Sequence, residues 1–350
     1  MMNISTIKRD YWPTQEWRTA EPLSLGMHPI KLTDLDHRVK SQYRNINGIV
    51  VVRSGYIVFE RYYNGFGSFD THNVASVTKS FTSALIGIAI DAGFINSVDQ
   101  KILDFFPEYI PGVNDIQKRT LTIRHLLTMT APFAWKYKMG YEPLDRLRRQ
   151  PDWVTYILNL LGQNGQIGKF QYCTAGTHLL SAIITRTTGL SAREFANDRL
   201  FRPLGMREIP DHEMGSFSLD NVFGKNVTGW GKDPNGYTTG GWGLTISPRD
   251  MVRFGFLYLN RGIWDGKQII SEAWIDESTA LHSTESGYGY LWWLRRENNA
   301  FLFSALGSGG NVICCIPEKD LVVSIASSII SKPRDRWLLI EKCILPAIQN

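Results

Sequence analysis

Residues 73–90 read NVASVTKSFTSALIGIAI, with Ser76 and Lys79 three positions apart in a run that is otherwise almost wholly apolar. A serine hydroxyl is a poor nucleophile until a base takes its proton, and lysine is seldom buried without a partner. On a helix over 76–92, positions i and i+3 share a face, so the amine can approach the hydroxyl. Ser76 would then stand at the helix N-terminus, where the first backbone N–H groups lack helical partners and can bind a developing oxyanion. An apolar wall disfavours the ammonium and lowers its pKa toward the range of a useful base. The spacing alone is cheap. Ser5-Thr-Ile-Lys8 repeats it in a polar segment with no apolar helix after it, and Lys79 could equally be an ordinary helix-end charge.

Other chemistries find little support. There is no G-x-S-x-G elbow and no Walker A loop, and His212-Glu213 lacks the second histidine of H-E-x-x-H. The seven histidines are scattered, and nothing picks out the members of a Ser-His-Asp triad. Lys+Arg total 38 against Asp+Glu 33, and the densest basic cluster, Arg146-Leu-Arg-Arg-Gln150, follows Asp145. That pattern reads as a solvated helix face, so no nucleic-acid partner is expected. The N-terminus shows no continuous apolar h-region and no run reaches the length of a membrane span, which predicts no membrane association and a cytoplasmic location. Cys173, Cys314, Cys315 and Cys343 show no C-x-x-C spacing and read as reduced, packed thiols. Adjacent residues in a strand point to opposite faces, which should separate Cys314 from Cys315.

The elements that must position the pair can be read from pattern. GIVVV (48–52) and YIVFERYY (56–63) form a hairpin around Ser54-Gly55. YGYLWWLR (288–295), AFLFSAL (300–306), NVICCIP (311–317) and LVVSIASS (321–328) predict four more strands, and 336–349 has helical periodicity as far as a break near Pro346. Ser191–Glu194 and Ser247–Asp250 are capping-box patterns, while Thr122 and Gly189 mark other helix ends. The 200–246 stretch, rich in Gly, Asp and Asn, predicts long loops. The economical arrangement joins both chain ends in one antiparallel sheet covered by helices, with residues 1–96 and 245–350 as a discontinuous sheet domain. Residues 97–244 are then an inserted helical and loop domain, and a cleft between the two would hold ligand.

Several blocks together carry a resemblance. NVASVTKSFTSALIGIAIDAG, ILDFFPEY, LTIRHLLTMTA, FQYCTAGTHLLSAIITRTTGLS, GGWGLTISPRDMVRFGFLYLNRGIW and LGSGGNVICCIPEKDLVVSIASS are similar, in order and spacing, to class C β-lactamase-like serine hydrolases. That group includes penicillin-binding proteins, family VIII carboxylesterases and 6-aminohexanoate-dimer hydrolases, and the likeness spans roughly residues 45–330. It implies an α+β fold of the β-lactamase/transpeptidase type. It further implies Ser76 as the acylated nucleophile, Lys79 as the residue that helps deprotonate it, and Tyr172 as a proton relay at the family's Y-x-N or Y-x-S element. Tyr43, Tyr62 and Tyr258 also begin a Y-x-N, but outside the matching block. The third family element, K-T-G, falls at Ala305-Leu306-Gly307, which places the oxyanion hole at the backbone N–H groups of Ser76 and Ser308.

Two departures shape the expected substrate. The Lys and Thr of K-T-G, which in the family help hold a β-lactam carboxylate, are absent, and Thr174 replaces the Asn of Y-x-N. The resemblance therefore points to ester or amide hydrolysis of small molecules through an acyl-enzyme, of the 6-aminohexanoate-dimer hydrolase type. A family VIII-type carboxylesterase is the alternative, followed by a β-lactamase proper and a non-catalytic homologue. Neither metal nor organic cofactor is required, and the oligomeric state is open, a homodimer included. Thr174, Gly307, Gly309, Trp135 and Trp242 are the expected substrate-binding residues, with Tyr137, Trp230 and Trp292 as further candidate aromatics.

Overall fold

The computed structural model of the chain describes residues 9–112, 115–135, 142–283, 285–297 and 300–349. Helix α1 spans Pro29–Gln42 and precedes the hairpin of β1 (Ile46–Arg53) and β2 (Tyr56–Tyr62). Helix α2 covers Thr78–Asp91, α3 covers Thr174–Thr188 and α4 covers Pro248–Leu259. Four strands close the chain: β3 (Trp293–Glu297), β4 (Ala300–Gly307), β5 (Asn311–Ile316) and β6 (Leu321–Ser327). They join the hairpin in one antiparallel sheet of order β2-β1-β6-β5-β4-β3. The described residues of 97–244 supply no strand to that sheet.

Both sheet faces are buried, and the strand period of two sorts the side chains between them. Val50, Val52, Ile313, Cys315 and Val322 face the core that contains Phe81 of α2 and Phe254 of α4. Ile49, Val51, Val312, Cys314 and Val323 face α1 and the C-terminal turns from Leu339 to Ala347. The adjacent cysteines thus part to opposite cores, and all four thiols are free and buried.

The caps follow the sequence pattern: Ser247 accepts from Asp250 N, Ser191 from Glu194 N, and Gly189 ends α3 at φ 74°. One strand does not. Residues 288–292 form an irregular plug rather than a ladder, with Leu291 at φ 62°, and β3 starts only at Trp293. The backbone there bonds to helical segments instead, Tyr290 N donating to Ser278 O and Leu291 N to Leu127 O. The aromatic run that mimics a strand is filling the core: the Trp292 ring lies 5.8 Å from Phe254 and 4.7 Å from Tyr258. Among the described residues no helix is long and apolar enough to cross a membrane.

Candidate active site

Helix α2 buries Thr78 through Ala89 without a break, so its polar first turns are enclosed along with its apolar second half. Lys79 is consequently 1% exposed. Its Nζ lies 2.9 Å from Ser76 Oγ and donates to the Gly241 carbonyl at 2.7 Å. Burial pulls its pKa down from 10.5 to about 7, against a smaller opposing influence from Cys173. Burial also pushes the Cys173 thiol up to about 12, so it stays neutral beside the amine. At neutral pH a large share of Lys79 is therefore free amine, with a lone pair able to accept the serine proton.

Ser76 is half-buried and stands in a 3-10 turn, Ala75–Val77, before α2 proper. The turn is forced by Ala75, whose φ of 49° is unusual for a residue with a Cβ. Asn73 secures that conformation: its Oδ1 accepts from Ala75 N at 2.9 Å while its Nδ2 donates to Val222 O at 2.7 Å. Backbone strain held in place by specific bonds next to a reactive group is common at functional sites.

The amine is aimed by a strap of backbone at 238–241. Four successive carbonyls each accept one side-chain donor: Thr238 from Ser181, Thr239 from the Trp230 indole, Gly240 from Thr82 and Gly241 from Lys79. A Cβ at Gly241 would stand 2.4 Å from Thr177 Oγ1, so the strap can lie this close to α3 only as glycine. Thr174, in the first turn of α3, packs against the same glycine and is nearly buried.

Tyr172 comes to the pair from the loop before α3. Gln171 anchors that loop by accepting from Phe133 N and donating to the carbonyls of Phe133 and Trp135. The Tyr172 ring centroid is 5.1 Å from Lys79 Nζ, and Trp293 stacks on the ring at 5.9 Å. Opposite, β4 ends against the Ser76 turn. A Cβ at Gly307 would be 2.2 Å from Val74 O and 3.3 Å from Ser76 N, so only glycine allows the strand this approach. Ser308 follows at the exposed rim and Gly309 is buried behind it.

The structure thus brings Ser76, Lys79, Tyr172, Thr174 and the 307–309 segment together. The aromatics divide. Trp230 and Trp292 are fully buried, so they are core and strap rather than cleft wall. Trp135 and Trp242 are 3% and 6% exposed, which leaves at most a ring edge of each for a ligand. Tyr137 and the Ser5–Lys8 copy lie outside the described residues. Sequence reasoning missed Gly241 and Trp293. The Gly240-Gly241 pair was the available signal for the first, and the second was absorbed into a predicted strand.

Comparison with known proteins identifies the fold and the family. The chain is 25% identical over 357 residues to the 6-aminohexanoate-dimer hydrolase of Paenarthrobacter ureafaciens, covering 93% of this chain and 83% of the relative. The solved structure of EstCE1, described as a hydrolase with promiscuous acyltransferase activity, superposes with a TM-score of 0.70 at 16% identity, covering 94% of this chain and 99% of that one. A family VIII carboxylesterase structure gives a TM-score of 0.65 at 16% identity, over 94% and 99% of the two chains. The family model described as beta-lactamase matches residues 36–336, and the chain belongs to the β-lactamase family.

Proposed function

We propose that the protein is a serine hydrolase that cleaves small-molecule amides and esters through an acyl-enzyme on Ser76. The observation that carries this reading is the buried Lys79 amine, 2.9 Å from Ser76 Oγ and with a pKa of about 7. In acylation the neutral amine takes the Ser76 proton as Oγ attacks the substrate carbonyl. The N–H groups of Ser76 and Ser308 receive the oxyanion, and donors so placed are worth a few kcal/mol each. Collapse expels the amine or alcohol, which gains its proton from Lys79 by way of the Tyr172 phenol. Water then attacks the ester, giving up its proton along the same route, and Ser76 is released.

The substrate class rests on two supports. The relative with 93% coverage of this chain is named for hydrolysis of an amide dimer. At the β4 edge, Ala305 is buried and Leu306 is 41% exposed, an apolar surface where a carboxylate clamp would need Lys and Thr. Esters, with the better leaving group, are expected to turn over at the same site.

A panel of p-nitrophenyl esters, linear ω-amino-acid amide oligomers and nitrocefin tests the reading, with a fluorophosphonate probe to label the nucleophile. Labelling at Ser76 and turnover of esters and linear amides are expected. Nitrocefin should lag by about 10- to 100-fold, the worth of one missing charged hydrogen bond. Nitrocefin as the best substrate would overturn the substrate class, and labelling elsewhere would overturn the nucleophile. Tyr172→Phe keeps the stacking on Trp293 and removes only the hydroxyl, so kcat should fall about 100-fold with thermal stability nearly unchanged. Unaltered kcat in that variant would remove the phenol from the proton route.

A further inference from the structure

The turn after β4 is fastened from behind at every carbonyl. Asn311 Nδ2 donates to Ser308 O at 2.8 Å, and Ser327 Oγ donates to Gly310 O at 3.2 Å. Between them, Gly309 O accepts from Asn45 Nδ2 at 2.8 Å and from Arg336 Nη2 at 3.1 Å. Arg336 also donates to Asn45 Oδ1, Ser327 Oγ and Arg334 O, so one guanidinium ties the turn to β6 and to the start of β1. The contact is intimate. A Cβ at Gly310, whose φ is 92°, would lie 2.6 Å from Arg336 Nε.

This arginine is an unusual choice for a structural brace. It is 3% exposed, and its Nε has no hydrogen-bond partner among the described residues. No carboxylate pairs with it within 4 Å among those residues; the Tyr43 ring lies 5.2 Å away, and the Tyr43 and Asp335 side chains give only partial electrostatic support. Burial lowers its pKa to about 10, which still leaves a cation at neutral pH. A buried charge with no carboxylate in contact carries a desolvation cost that its partners only partly offset. A fixed cation behind a turn that receives an oxyanion has an electrostatic use that an apolar residue lacks.

We propose that Arg336 is the positioning residue of the oxyanion site. It fixes the Gly309 peptide, and with it the turn that presents the Ser308 N–H, and sets a permanent positive charge behind that donor. The inference rests on the acyl-enzyme reading given above.

The test measures kcat, KM and affinity for an aryl boronic acid, whose tetrahedral adduct on Ser76 mimics the oxyanion state. For Arg336→Ala, kcat should fall about 100-fold, the effect of misplacing one oxyanion donor. Boronate affinity should fall in parallel while KM changes less than about threefold. A cavity of about 520 Å³ reaches Arg336 and Gly310 between β3–β5 and residues 333–340, so methylguanidine should restore part of the lost kcat. Arg336→Lys keeps a cation without the fork, and should retain KM with an intermediate kcat. It carries the test if the alanine variant does not fold. Arg334→Ala, an exposed neighbour whose carbonyl is unchanged by the substitution, should behave as wild type. Wild-type kcat and boronate affinity in both Arg336 variants would overturn the inference alone. So would a kcat loss that leaves boronate affinity intact. A wild-type enzyme that neither turns over esters nor binds the boronate would overturn the acyl-enzyme reading, and this inference with it.

Discussion

Ser76→Ala should abolish fluorophosphonate labelling and lower kcat/KM for esters and amides by about 10⁴-fold or more, as loss of a catalytic nucleophile does. The size follows from what the side chain does and from how little it does otherwise. Its Oγ bonds to Lys79, and the residue is half-buried in a turn whose shape is set by Asn73 and Ala75 rather than by the hydroxyl. Removing one oxygen therefore leaves the turn, the N–H groups and the lysine in place. Stability should change by no more than about 0.5 kcal/mol, the range of substitutions away from core features. What remains is oxyanion stabilisation without a covalent partner, which in serine hydrolases keeps a residual acceleration over water. Intact-mass spectrometry after mixing with a slow ester provides the sharper reading. The wild-type protein should gain the acyl mass and the variant should not. A variant that still acylates, or keeps more than about a tenth of its activity, would move the nucleophile elsewhere.

The parts of this site that the sequence revealed are those fixed by local spacing. Three residues of helical rise set Ser76 beside Lys79, and strand alternation put Cys314 and Cys315 into different cores. The hairpin and the four capped helix ends were legible for the same reason, because each depends on neighbours within a few positions. The partners that tune the chemistry come from far along the chain. Gly241 is 162 residues from Lys79, and Arg336 is 291 from Asn45 and 27 from Gly309. The Gly240-Gly241 pair signals a close backbone approach, but neither segment announces which residue it meets, since the topology of the whole sheet decides it. Aromatic residues were ambiguous for another reason. Trp230 and Trp292 are as apolar as any pocket lining, and only packing shows that one supports the 238–241 strap while the other fills the core against Phe254. The stretch 288–292 was misread because strand propensity measures fitness for a half-buried surface, a fitness that a buried plug also rewards.

Lys79→Met separates the lysine's catalytic role from its effect on folding, because pH changes the two over different ranges. With a folded pKa of about 7, the acylation rate of the wild-type enzyme should climb with pH through about 7 as the amine loses its proton, then level off. In the variant that limb disappears and acylation is slower by about 10³-fold, within the usual range for loss of a general base. Stability also rises with pH, but over the range between about 7 and 10.5. The folded pKa lies below the unfolded value near 10.5, so between these two the unfolded chain holds more protons and stability rises with pH. Below about 7 the full penalty of burying the ammonium is present, on the order of 4 kcal/mol for a shift of this size. Methionine removes that penalty but leaves the Gly241 carbonyl without its donor, which costs about 1–3 kcal/mol in a buried setting. At pH 6 the variant should therefore be the more stable protein, by about 1–3 kcal/mol on these figures. Near pH 10 the lysine penalty has faded and the orphaned carbonyl remains, so the order of stabilities should reverse. Denaturant melts of both proteins at the two pH values would show the crossing. A variant that acylates at the wild-type rate would remove Lys79 as the base. Parallel stability curves would show that the buried amine stays charged in the fold, and the free amine would then be absent from the resting site.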